Sequence, residues 1–177
     1  MNNGPPYHSP SGKIREIVFL GLLTALVVVS TMSIRIPTPT GGYINPGDII
    51  VIFSGFFLGG KRGFIIGGFG SALADLLGGY PAYIPITFIT KGTEGFIAGY
   101  IGRDLNNREN FLNLLLGAIL AGFFMVTGYF AGETIFFGLG VALPPLIPNI
   151  FQAFTGIIGA LLVYKLIGKD IRRRLIL

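Results

Sequence analysis

Hydrophobic residues along this chain gather in long, almost uncharged runs, separated by stretches dense in Gly, Pro, Asn or charge. Residues 1–12, MNNGPPYHSPSG, are polar and predict a disordered tail. Lys13 and Arg15 then lead into 18 uncharged residues, Ile17 to Ile34. That run is long for a signal peptide and carries no A-x-A cleavage site, so it reads as an uncleaved membrane helix. The loop IPTPTGGYINPG ends it, because its Pro and Gly density excludes continuous helix. Further apolar segments cover Asp48–Leu58, Phe64–Leu77, Ile86–Ile101, Phe111–Gly132 and Asn149–Ile167, with GGKRG, GGYPAYIP, GRDLNNREN and FFGLGVALPPLIP between them. The pattern predicts an all-α integral membrane protein: a six-transmembrane-helix bundle over residues 13–170, followed by a basic tail at 171–177. Segments two to four fall near or below the roughly 20 residues that a bilayer span needs, so tilt, neighbours or partial insertion must compensate.

Composition agrees. Of the 177 residues 51% are hydrophobic and only 12% charged, against about 25% charged in a soluble domain, and the mean hydropathy is +0.72. So few charges on a water-facing globule would leave large apolar patches bare, so lipid is the solvent for most of this surface. The 13 basic residues set the orientation. With the N-terminus inside, Lys13, Arg15, Lys61, Arg62, Arg103, Arg108, Lys165, Lys169, Arg172, Arg173 and Arg174 are cytoplasmic, Arg35 lies in an outer loop and Lys91 lies within a helix. Both termini are therefore expected in the cytoplasm. The same scatter argues against nucleic acid as a partner despite a net charge of +5, since that reading needs basic residues gathered on one face. The absence of Cys excludes a disulfide framework and thiol chemistry, and a lone His8 in the tail removes most zinc and triad chemistry.

Glycines recur at four-residue spacing at Gly55, Gly59, Gly63 and Gly67, at Gly95 and Gly99, and at Gly128 and Gly132. Such rows let helix backbones approach closely inside a bundle. Gly21 and Ala25 repeat the spacing on a Leu- and Val-rich first helix, where the small face either packs internally or docks another membrane protein.

Charges inside spanning segments cost at least about 2.5 kcal/mol at a helix centre and are functional candidates by default. Here they are Asp48, Asp75, Lys91, Glu94 and Glu133. At about 1.5 Å per residue Asp75 lies roughly 17 Å past Phe64, near the outer end of the third helix. Lys91 and Glu94 sit near the outer end of the fourth, with Thr87 on the same face; Glu133 closes the fifth; Asp48 opens the second; Asn149 and Gln152 lie in the first turn of the sixth. All of these polar groups fall in the outer half. An ion relay needs ionisable groups through the full depth of the membrane, so an outward-open pocket fits better than a pore. Each has a bland alternative. Asp48 follows Pro46-Gly47 and suits a helix cap; Lys91 either neutralises Glu94, pairs with Asp75 or meets a ligand. Tyr43, Tyr80, Tyr83, Phe88, Phe136 and Phe137 bracket the cluster, either as an interfacial belt or as aromatic walls for a flat ligand. The 12-residue loop before the second helix has the length of a lid. No metal-binding, nucleophile-elbow or phosphate-loop motif is present, which argues against an enzyme and leaves transport energy to a partner or an ion gradient.

The segment Gly41 to Arg103 carries a G-x-x-N-x-G-D start to the second helix, an A-D-L-L-x-G-Y end to the third and a K-G-x-E-G in the fourth. In these motifs, and in helix count over nearly the whole chain after residue 12, the sequence resembles the substrate-binding S component of energy-coupling factor (ECF) vitamin transporters, most of all the riboflavin-type branch. The resemblance implies a multi-pass protein of the bacterial plasma membrane that captures a vitamin from outside and then joins a transmembrane coupling protein and two cytoplasmic ATPases. It implies no cofactor, riboflavin being the transported ligand. Tyr43, Asn45, Asp75, Tyr83, Thr87, Lys91, Glu94, Glu133, Asn149 and Gln152 are then the expected ligand-binding set, and Gly21 with Ala25 a relaxed form of the family's docking face. Pyridoxine, hydroxymethylpyrimidine or pantothenate are alternative ligands within the same scaffold. A self-sufficient proton-coupled transporter using Asp75, Lys91 and Glu94 is the rival reading.

Overall fold

The computed structural model describes residues 10–37, 43–103 and 110–168. The first nine tail residues, residues 38–42 of the lid-length loop, Arg108, Lys169 and the basic tail at 171–177 lie outside the described residues.

The described residues are almost wholly helical. Helix α1 runs Pro10–Ser33, starting three residues before Lys13. A two-residue hairpin follows, in which β1 (Ile36–Pro37) pairs antiparallel with β2 (Tyr43–Ile44). Next come α2 (Gly47–Leu58), α3 (Gly60–Gly78), a 3₁₀ turn (Pro81–Tyr83), α4 (Ile84–Gly102), α5 (Phe111–Phe137), a single-turn α6 (Leu139–Ala142) and α7 (Leu146–Val163), which ends in a π turn, Tyr164–Gly168.

The boundaries differ from the sequence expectation in two instructive places. The GGKRG stretch is not a loop: one residue, Gly59, separates α2 from α3, and Lys61, Arg62 and Gly63 already belong to the first turns of α3. Gly59 has φ 89° and ψ 168°, a conformation essentially reserved for glycine, so the reversal needs no further residues. Glu133 does not close α5, which continues one turn further to Phe137.

Helix α4 is the hub, packed on α2, α3 and α5, while α7 lies against α2 and α5 and α1 against α2 and α3. The glycine rows make this possible. A Cβ on Gly95 would run into the carbonyl oxygen of Gly63, and one on Gly63 into that of Gly95. Small-residue contact of this kind replaces the hydrophobic drive that lipid cannot supply. The half of the bundle nearest Gly59 is filled by Phe53, Phe56, Phe57, Leu58, Ala98, Leu114 and Tyr164, with Phe56 edge-on to Tyr164 at 5.7 Å. The outside is apolar as well; Ile135 is 79% exposed and Leu166 72%. Gly12–Ser33, Phe111–Phe137 and Leu146–Gly168 are long and apolar enough to cross a membrane, and Gly47–Leu58 is a shorter apolar helix. Helices α3 and α4 have 19 residues each, about 28 Å; Asp75 on α3 and Lys91 and Glu94 on α4 are buried, while Lys61 in the first turn of α3 is exposed.

Gly95→Ala is expected to lower stability by about 1–3 kcal/mol, because the new methyl meets backbone that cannot yield. Gly21→Ala, where a Cβ meets nothing within 4 Å, should be neutral or stabilising by up to about 1 kcal/mol through helix propensity. Unfolding midpoints in detergent separate the two; equal midpoints would contradict the close α3–α4 crossing.

Candidate functional site

Polar side chains converge at the end of the bundle opposite Gly59, and each helix delivers them by the same device. Residues three or four apart share a helix face. Thus α3 presents Ser71 and Asp75, α4 presents Thr87 and Lys91, α5 presents Tyr129 and Glu133, and α7 presents Asn149 and Gln152. Thr31 from α1, Asn45 just after the hairpin, Tyr80 and Tyr83 from the 3₁₀ corner, and Pro145 complete the lining. Together they enclose a cavity with about 40 Å³ open to the centre of a water molecule.

The corner that carries the tyrosines is set by the end of α3. Gly79 takes the left-handed conformation, φ 84° and ψ 23°, and the Tyr80 N–H donates to the Asp75 carbonyl at 2.9 Å, the 6→1 bond of a Schellman ending. Arg35 lies over the Tyr80 ring, 5.9 Å from its centroid, and donates to the Ala74 carbonyl at 3.4 Å. Burial raises the pKa of the Tyr83 phenol, and the Glu133 and Asp75 carboxyls raise it further. Its hydroxyl is therefore a neutral donor at physiological pH.

Beneath the cavity lies a buried ionic array. The Lys91 ammonium donates to the Asp48 carboxylate and to Glu94 Oε2, the latter at 3.0 Å. Gln152 Nε2 donates to Asp48 Oδ1 at 3.0 Å, and Gln152 Oε1 accepts from the Asn45 N–H at 2.8 Å. The Lys91 ammonium also sits 5.6 Å from the centre of the Tyr129 ring, whose hydroxyl is 3.2 Å from Thr87 Oγ1. Asp48, Lys91 and Glu94 are all buried, and together they hold two carboxylates for one ammonium. Among the described residues, Glu133 Oε2 and Thr31 Oγ1, both belonging to cavity-lining residues, are buried without a hydrogen-bond partner. A site with unmet acceptors and fixed amides suits a polar ligand that brings donors of its own.

Of the residues expected from sequence, Asn45, Asp75, Tyr83, Thr87, Lys91, Glu133, Asn149 and Gln152 line the cavity. Glu94 lies one layer below, on Lys91. Tyr43 contributes backbone to the hairpin, and its side chain lies outside the described residues. Lys91 does not take Asp75 as its salt-bridge partner; it pairs with Asp48 and Glu94. Nor does Asp48 cap α2. Asn45 Oδ1 accepts from the Gly47 N–H at 2.8 Å in the turn that leads into the helix, and Asp48 turns inward to Lys91 and Gln152. Of the six aromatics expected to bracket the cluster, Tyr80 and Tyr83 reach the lining among the described side chains. Phe88 packs on Phe64 and Phe69 at 5.6 and 5.0 Å, and Phe137 backs Tyr83 at 5.3 Å. Sequence reasoning overlooked Thr31, Ser71, Tyr129 and Pro145. The spacing rule alone finds two of them, since Ser71 lies four residues before Asp75 and Tyr129 four before Glu133.

Residues 11–169 match the family described as ECF-type riboflavin transporter, S component. An uncharacterized protein of Pyrococcus woesei is 41% identical over 133 residues, 75% of this chain and 87% of that one. The thiamine precursor transporter HmpT of Lactococcus lactis subsp. cremoris (strain MG1363) is 31% identical over 158 residues, 88% of this chain and 89% of its own length.

Removing Lys91 alone strands two buried carboxylates. Lys91→Met should therefore destabilise the protein by roughly 3–5 kcal/mol. Adding Asp48→Asn and Glu94→Gln should recover most of that loss. Unfolding titrations in mixed micelles measure both steps; full stability of Lys91→Met alone would show that the array carries no such load.

Proposed function

The chain belongs to the family of ECF-type riboflavin transporter S components, and on that premise we propose that it captures riboflavin from outside the cell in the polar cavity at the outer end of its bundle. In this reading the five long helices and the shorter α2 are all inserted, both termini are cytoplasmic, and Asn45, Asp75, Tyr83, Thr87, Lys91, Glu133, Asn149 and Gln152 surround the ligand. ATP hydrolysis comes from partner subunits, a coupling protein and two ATPases. The chain is itself no enzyme.

One observation carries this reading: paired polar residues from four helices close on a single cavity at one end, over a half whose described core residues are apolar. That geometry suits capture followed by hand-over and argues against a stand-alone proton carrier. The open face of α1 is consistent with hand-over. Gly21, Ala25 and Val29 are exposed on one side of the helix, with nothing within 4 Å of a Cβ placed on Gly21.

A second ligand is favoured by a specific observation. The cavity is small, and Glu133 offers an unpartnered carboxylate oxygen. A one-ring, amine-bearing thiamine precursor, the ligand class in the name of the Lactococcus relative, fits those two facts with less rearrangement than a tricyclic flavin.

Protein purified without added ligand and analysed by mass spectrometry decides between them. Riboflavin is expected as a bound, yellow species, and an aminopyrimidine in its place would move the assignment to the second ligand. Asn149→Ala should weaken binding roughly tenfold, the scale of one lost hydrogen bond in a buried site. Gly21→Leu and Ala25→Leu should abolish uptake in cells while leaving ligand titrations of the purified protein unchanged. Uptake by this chain alone in proteoliposomes, without ATPases, would overturn the proposal.

A further inference from the structure

A second cavity lies directly behind the polar one. It is a groove of about 230 Å³, open along the flank of the bundle and walled by Ile34, Ile36, Pro46, Ile49, Phe151 and Thr155, of which Ile34, Ile36 and Phe151 are more than half exposed. Its lining is overwhelmingly apolar, in contrast to the mixed lining of the polar cavity. Only two residues, Asn45 and Gln152, line both spaces. The hydrogen bond from the Asn45 N–H to Gln152 Oε1 at 2.8 Å thus lies on the boundary between them.

We propose that the Gln152 side chain is a movable partition, and that a multi-ring ligand displaces it and lodges its apolar ring in the second cavity. The proposal rests on the reading of the polar cavity as the ligand site. Size requires some such device. Alone, the polar cavity holds about 40 Å³, whereas the two spaces joined approach the roughly 300 Å³ at the lower end of the range for ligand pockets.

The chemistry of the partition says what displaces it. The Gln152 carboxamide accepts from the Asn45 N–H and donates to Asp48 Oδ1. When it swings aside, the Asn45 N–H loses its partner and Asp48 Oδ1 keeps only the Lys91 ammonium, and a buried polar group left unpaired is costly. A ring edge with an acceptor beside a donor, as in a cyclic imide, replaces both bonds at once. An isoalloxazine has such an edge at one end and a dimethyl-substituted benzenoid ring at the other. The polar edge then takes over the carboxamide's two bonds while the benzenoid ring meets Ile49 and Phe151. A one-ring pyrimidine fills only the polar side and leaves Gln152 in place.

Thr155 tests this, because it lines the apolar cavity and not the polar one, and its hydroxyl donates at 2.9 Å to the Gln152 backbone carbonyl and not to the side chain that is proposed to move. Affinities of the purified full chain for riboflavin and for 4-amino-5-hydroxymethyl-2-methylpyrimidine are compared by calorimetric titration. Thr155→Trp should fill the second cavity and weaken riboflavin at least about tenfold, with the pyrimidine unchanged within about twofold, the range of a remote substitution. The chain contains no cysteine, so Thr155→Cys provides a single thiol as a second readout. Saturating riboflavin should slow its reaction with a maleimide, and the pyrimidine should not. Equal effects of Thr155→Trp on both ligands, no effect on riboflavin, or an unprotected thiol would overturn the partition. Wild-type binding of the pyrimidine without riboflavin would also overturn it while leaving the capture function standing. Binding of neither ligand would remove the proposed function itself.

Discussion

The buried contact of Lys91 with Asp48 and Glu94 is the constraint around which the polar end is organised. An ammonium and two carboxylates are expensive to withdraw from water, and they are tolerated only where each is held by the others. Here the three come from α2 and α4, and Gln152 on α7 is tied to the same Asp48 oxygen that Lys91 engages. Helices α2 and α4 are therefore fixed in register at the depth where the cavity begins, and α7 joins them through the Gln152 side chain. In lipid, where apolar surface gains nothing by burial against other apolar surface, such a polar clamp is one of the few interactions able to specify register.

The glycine rows play the complementary part. They bring α3 and α4 into backbone contact from Gly60 at the Gly59 end up to Gly67 beside Lys91, which leaves the opposite end to be spaced by whatever the side chains demand. The apolar half fills with stacked and edge-on aromatics around Phe53, Phe56, Phe57 and Tyr164. The polar half fills incompletely, and the unfilled part is the cavity.

Much of this was legible because charge is so rare in the chain. Asp75, Lys91 and Glu133 stand out in apolar runs, and their distance from the nearest loop gives their depth without any fold in hand. Asn149 and Gln152 follow from their three-residue spacing on a helix that must face lipid elsewhere. Asp48 stayed ambiguous for a physical reason: a carboxylate after Pro-Gly at a helix start has an ordinary local use, and only the structure shows it turned to Lys91 and Gln152. Thr31 carries no signal, and Ser71 and Tyr129 are legible only through their four-residue spacing from Asp75 and Glu133, since such side chains commonly bond to their own helix or sit in an interfacial belt. The aromatic bracket was half legible. Tyr80 and Tyr83 are placed by the α3 corner, but the partner faces of Phe88 and Phe137 depend on helix rotation, which periodicity does not fix.

The one-residue reversal at Gly59 determines more than the α2–α3 angle. Both helices start from that corner, yet α2 has 12 residues and α3 has 19, so at about 1.5 Å per residue α2 stops roughly 10 Å lower. The column above it is where the hairpin and both cavities are found. The space for a ligand is in this sense a deficit of helix, two turns that α2 does not have, with Asp48 on the ledge where it stops. Inserting those turns between Gly47 and Leu58 would extend a sound membrane helix and erase the vestibule, so the shortness that makes α2 a poor span is what gives the bundle an interior.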